Sequence, residues 1–237
     1  MKKLAFILFI FTTWQCQAQS AGNDVKKYGL KGKVKVMEEA RFPYTKEVNG
    51  EWSVVDTVFY NVDRYSFDES GKLITLENIH YQVAGKRGTN STITKFSYKD
   101  GKISGSKTYS EQGALLSEST VTWLAADKYK DLYKTAETND EVEHTIDKDM
   151  RNKQTIAKRF DKAGRLVASI TTTFEYDKRG RATKSVITDA QSKNTYHFDF
   201  KPLGAEDENG NRSKVLFTEE KSAMPNQLLL YTYEYYN

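Results

Sequence analysis

The chain has 237 residues and a formal net charge of +4, from 36 basic and 32 acidic side chains intermixed along its length. That balance, without a basic stripe, argues against a nucleic-acid partner. A mean hydropathy of −0.70, and no apolar run long enough to cross a bilayer, argue against a transmembrane helix in the mature chain.

Residues 1–18 read as an export signal. Lys2 and Lys3 supply the positive start, Leu4–Phe11 the apolar run, and Cys16-Gln17-Ala18 small residues at the two positions flanking a cleavage after Ala18. Acylation of Cys16, as in a lipoprotein, is the rival; it needs a small residue just before the cysteine, and Gln15 does not provide one. Cleavage leaves 219 residues, a charge of +2 and no cysteine. The mature chain therefore holds neither a disulfide nor a thiolate metal site, and must be stabilised by burial and backbone pairing. The expected location is periplasmic, outer-surface or secreted. No linker rich in Gly, Ser or Pro interrupts residues 19–237, which are expected to form one domain.

The mature chain begins to alternate at Lys33–Val36, "KVKV", as a strand does. Five segments then share one pattern: "FDESGKL" from Phe67, "YKDGKI" from Tyr98, "YSEQGAL" from Tyr109, "FDKAGRL" from Phe160 and "YDKRGRA" from Tyr176. Each runs from an aromatic through a polar step to a glycine, one intervening residue and an apolar one. A three-residue hairpin loop on a type I turn needs positive φ at its end, which glycine supplies. Gly71, Gly113, Gly164 and Gly180 fit that place, and Asp68, Asp161 and Asp177 fit the start, where the side chain bonds the backbone ahead. Asp100-Gly101 fits a two-residue type I′ loop. Counting outward pairs Phe67 with Leu73, Tyr98 with Ile103, Tyr109 with Leu115, Phe160 with Leu166 and Tyr176 with Ala182. Asp68–Lys72, Asp161–Arg165 and Asp177–Arg181 become charge pairs, expected to be exposed. The alternative, an anion nest at Gly180 clamped by Arg179 and Arg181, would ordinarily open a helix, and β-rich sequence follows here.

"FDKAGRL" and "YDKRGR" resemble the YD repeats of Rhs-type bacterial proteins, whose unit is an aromatic-Asp-x-x-Gly-Arg-Leu turn. "YGLKGKVKVMEE" and the terminal "YTYEYY" are similar to small exported bacterial proteins with degenerate copies of that unit. The five aromatics lie 31, 11, 51 and 16 residues apart instead of at a fixed period. The resemblance implies an architecture of hairpins more than an activity.

Further turns are expected at 85–90, at Asp147–Asn152 with Asn in the glycine's place, and at Gly204–Asn211 after Pro202, with Pro225-Asn226 before the last strand. No proline falls inside an expected strand interior. Residues 125–136 break the alternation, because Ala125, Tyr129, Leu132, Tyr133 and Ala136 have helical spacing, and one short helix is possible there. The C-terminal "LLLYTYEYY" places Leu229, Tyr231, Tyr233 and Tyr235 on one face. The fold expected is all-β: a long antiparallel meander forming a twisted or curled sheet.

Nothing assembles into known chemistry. His80, His144 and His197 have no metal-ligand spacing. Ser104–Lys107 matches SxxK without its companion motifs. Asp207, Asn209 and Asn211 alternate as in a calcium loop, but the glycine and the twelfth-position acid are misplaced. No catalytic, metal or cofactor residue is assigned. Aromatics make up 13% of a very polar chain. Trp52, Trp123, Tyr231, Tyr233 and Tyr235 are candidates for stacking on a sugar or meeting a protein partner, with a role in the core as the alternative. The expected function is a non-enzymatic envelope protein that binds a protein or carbohydrate, or acts as a structural module. The alternative is a hydrolase of envelope polymers using a carboxylate pair.

Overall fold

In a computed structural model, the described residues are 24–43, 45–55, 60–82, 86–88, 90–220 and 226–237. The expected export signal, Cys16, Pro225 and part of the turn expected at 85–90 lie outside them. A four-residue helix, α1 (Asp24–Lys27), precedes seventeen strands. They are β1 (Val34–Phe42), β2 (Thr45–Val48), β3 (Glu51–Val54), β4 (Tyr60–Phe67), β5 (Leu73–Gln82), β6 (Lys86–Arg87), β7 (Thr92–Lys99), β8 (Lys102–Ser110) and β9 (Leu115–Ala125). The rest are β10 (Lys128–Thr135), β11 (Thr138–Ile146), β12 (Asn152–Asp161), β13 (Leu166–Tyr176), β14 (Ala182–Asp189), β15 (Thr195–Glu206), β16 (Arg212–Glu219) and β17 (Gln227–Tyr235).

Neighbouring strands pair antiparallel from β5 through β7 to β17. The last strand then pairs with β1, β1 with β4, and β4 with β5. The sheet closes on itself as a barrel of 14 strands. The open twisted or curled sheet expected from sequence is overturned by these long-range pairings, which among the described residues leave a free edge in the main sheet only at the two-residue β6. The β2–β3 hairpin stands outside the barrel wall, where Lys214 Nζ donates to Trp52 O and Thr45 Oγ1 to Asn226 O.

The hairpins explain the repeated segments. Phe67 pairs with Leu73, Tyr98 with Ile103, Tyr109 with Leu115, Phe160 with Leu166 and Tyr176 with Ala182. Asp177 Oδ1 accepts from the N–H groups of Arg179 and Arg181, at 2.8 and 2.9 Å, and Gly180 closes the turn at φ +84°. Asp68, Asp147, Asp161 and Asp207 hold their turns in the same way. At Asp147 the positive φ falls on Met150 rather than on Asn152, which instead begins β12. The expected turn at Gly204–Asn211 narrows to Asp207–Asn211. Pro202 lies inside β15, exposed and just before an irregularity between Leu203 and Glu206, which is where a strand tolerates a residue without an N–H.

Residues 125–136 form the end of β9 and all of β10, not a helix. Tyr129, Asp131 and Tyr133 all point inward and are buried, while Leu132 faces out. An acid at an inward position breaks the apolar alternation, and the remaining large residues fall by chance at helical spacing.

Inside the wall two apolar clusters form. One gathers Ile170, Ile187, Phe198, Phe200, Val215, Phe217 and Leu229; the other gathers Val25, Val34, Met37, Tyr65, Phe67, Leu73 and Leu76. The outer face is charged. Lys107 pairs with Glu118, Lys128 with Glu143, Lys130 with Glu141, and Arg64 with Glu38.

Candidate functional site

The turns at Asp68, Asp147, Asp177 and Asp207 all lie on one rim, because each joins two strands at the same end of the barrel. Just inside that rim, inward aromatics tie the hairpins together. Tyr98 Oη donates to Leu73 O at 2.8 Å, Trp123 Nε1 to Ile103 O at 3.2 Å, Tyr176 Oη to Asn152 O at 2.8 Å and Tyr233 Oη to Arg212 O at 2.8 Å. Each acceptor lies at the start of the adjacent strand. At β14 the corresponding carbonyl, Ala182 O, accepts from Arg212 Nη1 at 3.3 Å.

Residues 24–32 form a strap across this rim. At one side Val25 N–H donates to Gly71 O, and Asp24 Oδ2 accepts from Leu73 N–H at 2.8 Å and Tyr98 Oη at 2.7 Å. At the other side Lys31 and Asn211 exchange two hydrogen bonds, Lys31 N–H to Asn211 Oδ1 and Asn211 Nδ2 to Lys31 O. Between them Gly29, at φ +66°, passes so close to the Asp177 hairpin that a Cβ would lie 3.1 Å from Gly180 C and 2.9 Å from Arg181 Cγ. Only glycine fits that approach.

Beneath the strap is a cavity of about 150 Å³, the size of an engineered cavity that accepts benzene. Lys27, Tyr28, Gly29 and Leu30 of the strap form one wall. Met37, Phe174, Phe200 and Ala182 supply apolar surface, and Tyr65, Tyr176, Tyr231 and Tyr233 supply rings. Its charged lining is Lys27, Arg181 and Arg212 against Glu39. Arg181 is satisfied by Asp177 at 2.8 Å and Glu206 at 2.7 Å. Glu39 is held by Arg41 Nη2 at 2.9 Å and by Tyr231 Oη at 2.8 Å. Burial works against the Arg41 cation, but Glu39 and Asp63 outweigh it and keep the guanidinium charged. Burial pushes the Asp63 carboxyl up to about 6 despite Arg41, and pushes the Tyr231 hydroxyl well above its ordinary range with Glu39 adding to it.

The candidate aromatics do not share one platform. Tyr231, Tyr233 and Tyr235 face inward; Tyr231 and Tyr233 line the cavity, and Tyr235 donates to Asp207 at the rim. Trp123 lies inside on β9, tilted against Tyr129, with Lys102 Nζ 4.5 Å from its ring. Trp52 is on the outer hairpin. His144 is buried, stacked on Tyr129 at 4.4 Å, and burial pushes it down to about 3, so it stays neutral. No cluster of three or more metal-ligating side chains occurs among the described residues. Asp207, Asn209 and Asn211 serve their own turn, the strap and Tyr235. The SxxK stretch is structural: a Cβ on Gly105 would lie 2.4 Å from Ser119 O, and Ser106 bonds Ser119 at 2.9 Å.

Sequence reasoning did not find the strap, the cavity or Arg212. One signal was present: Asp147, Asp177 and Asp207 follow one another at a spacing of 30 residues, which marks three hairpins on the same rim.

No protein-family model matches the chain, and no curated protein matches it. Among solved structures, it is similar to a porin-like protein from Bacteroides vulgatus, at 12% identity and a TM-score of 0.47, covering 87% of this chain and 99% of that one. A porin-like protein from Bacteroides uniformis gives 10% identity and a TM-score of 0.42 over 86% and 99%. A LolA superfamily protein from Nitrosomonas europaea gives 7% and 0.26 over 90% and 92%. Likenesses this distant say nothing of what this chain binds.

Proposed function

We propose that the protein is an exported, non-enzymatic β-barrel that stands in water and holds a small molecule in its lumen beneath the strap. The observation that carries this reading is the cavity walled on one side by the strap and lined by aromatic and apolar side chains with a few placed polar groups, as ligand sites are. A ring-sized molecule matches the space present. The outward ion pairs support a water-facing wall, since a membrane barrel presents an apolar band about 25 Å tall to lipid. The basic start and apolar run within residues 1–18 support export, and the Asp-x-x-Gly hairpins support kinship with YD-repeat proteins.

The hydrolase alternative has a carboxylate pair to offer. Glu39 and Asp63 are direct cross-strand partners, both buried. Glu39 has both oxygens engaged, Asp63 accepts from Asn78 Nδ2 at 2.7 Å, and Arg41 sits beside both. Asp63 does not line the cavity, and both carboxylates are engaged by neighbouring side chains, so the pair supports a structural network better than an acid and a nucleophile.

Thermal melts of the mature chain with a panel of ring-sized acids, alcohols and sugars test the reading. A true ligand at about 100 times its Kd should raise Tm by about 5–10 °C. Ala182→Leu, which fills the cavity, should keep the fold and lose the shift. A panel without any shift, or a shift that survives Ala182→Leu, would overturn it.

A further inference from the structure

The cavity's positive charges are not equivalent. Arg181 is neutralised by Asp177 and Glu206. Glu206 is the residue opposite Arg212 across the turn, yet its carboxylate turns to Arg179 and Arg181 and leaves Arg212 aside. Arg212 forms no ion pair among the described residues. Its guanidinium gives one hydrogen bond, the 3.3 Å bond from Nη1 to Ala182 O, and lies with Cζ 5.9 Å from the Tyr231 ring. Glu39, the acid on the cavity wall, is already taken by Arg41 and Tyr231. A guanidinium carries five donors in a planar fork that matches a carboxylate, so most of the fork at Arg212 has capacity to spare.

Resting on the reading of the cavity as a ligand site, we infer that its ligand is a small carboxylic acid with an apolar or ring-shaped body, its carboxylate held by Arg212. The body lies against Leu30, Met37, Phe174 and Phe200, where a neutral apolar group is welcome and a second charge is not. The chemistry disfavours cationic ligands, which would meet the Arg212 guanidinium while the wall's carboxylate, Glu39, is already taken.

Isothermal titration calorimetry of the mature chain with benzoate and with benzyl alcohol, its uncharged near-isostere, separates the possibilities. Benzoate should bind at least about tenfold more tightly, as a charge-assisted bond requires. Arg212→Gln should remove that preference, and Arg212→Lys should restore part of it. Equal binding of the two compounds, or a preference that survives Arg212→Gln, would overturn the acid assignment and leave the lumen site standing. Binding of neither at 10 mM (a ceiling of about 3 kcal/mol) would overturn both.

Discussion

Arg165 and Arg181 hold the same place in their hairpins, four residues after an Asp, and their surroundings make them different. Arg165 is on the rim away from the strap, with its side chain 80% exposed beside Asp161. Arg181 is only 13% exposed; it bridges Asp177 and Glu206 and lies under Gly29. The expectation of an exposed pair at Asp177–Arg181 is therefore corrected. Burial works against the charged form of Asp177, but the Arg181 and Arg179 N–H groups and the Arg181 guanidinium outweigh it and hold its pKa below the ordinary carboxylate value. Removing the Arg181 side chain strips its guanidinium bonds from Asp177 and Glu206 and its packing from the strap. Arg181→Ala should lower Tm by about 4–8 °C, and Arg165→Ala by about 1 °C or less. Equal losses would contradict the structure's distinction between the rims. The turn chemistry was legible because an Asp and a Gly at fixed offsets act locally. Which rim each turn joins was not, because that depends on the count of strands between them.

At the scale of elements, the hairpins could be registered by counting outward from each glycine, whereas β10 could not be recognised. Its inward row carries Tyr129, Asp131 and Tyr133, and Tyr133 Oη donates to the buried Asp131 carboxylate. Burial pushes that carboxyl up to about 7 against the hydroxyls of Tyr133 and Ser119. Such a buried acid inside a wall has no signature in hydrophobic alternation. β17 is the opposite case. Its inward face, Leu229, Tyr231, Tyr233 and Tyr235, reads directly from the sequence, and Glu234 lies exposed on the other side. What the sequence does not reveal is that β17 stands between β16 and β1 and so completes the ring. Deleting residues 228–237 removes four large side chains, at about 1.5–3 kcal/mol each, from a domain whose margin is about 5–15 kcal/mol. Circular dichroism should show loss of the folded state. A truncated chain that keeps its β signal and its melting transition would show that closure contributes little.

For the whole molecule, closure accounts for the composition. About eight strands make a barrel that side chains just fill, and about 16 to 18 leave an open channel, so a ring of 14 needs bulky inward residues to fill its lumen. The 13% of aromatic residues answers that need: Tyr65, Tyr129, Phe67, Phe198, Phe200 and Phe217 are buried in the lumen, while lysines and glutamates pair across the outer wall. Sequence alternation identifies such strands but not their closure, because β1 meets β17 through contacts nearly the full length of the chain apart. The cavity inherits this opacity. Its lining comes from the strap, β1, β4, β12 to β17 and the turns between them, and no local motif assembles it.

The most direct test is where a ligand acts. Hydrogen–deuterium exchange of the mature chain, with and without saturating benzoate, reads the strap and the wall separately. The account expects slower exchange in residues 24–32 and in the rim ends of β16 and β17, with the outer β2–β3 hairpin unchanged. Protection confined to that hairpin or to the opposite rim, with the strap unaffected by bound benzoate, would contradict it.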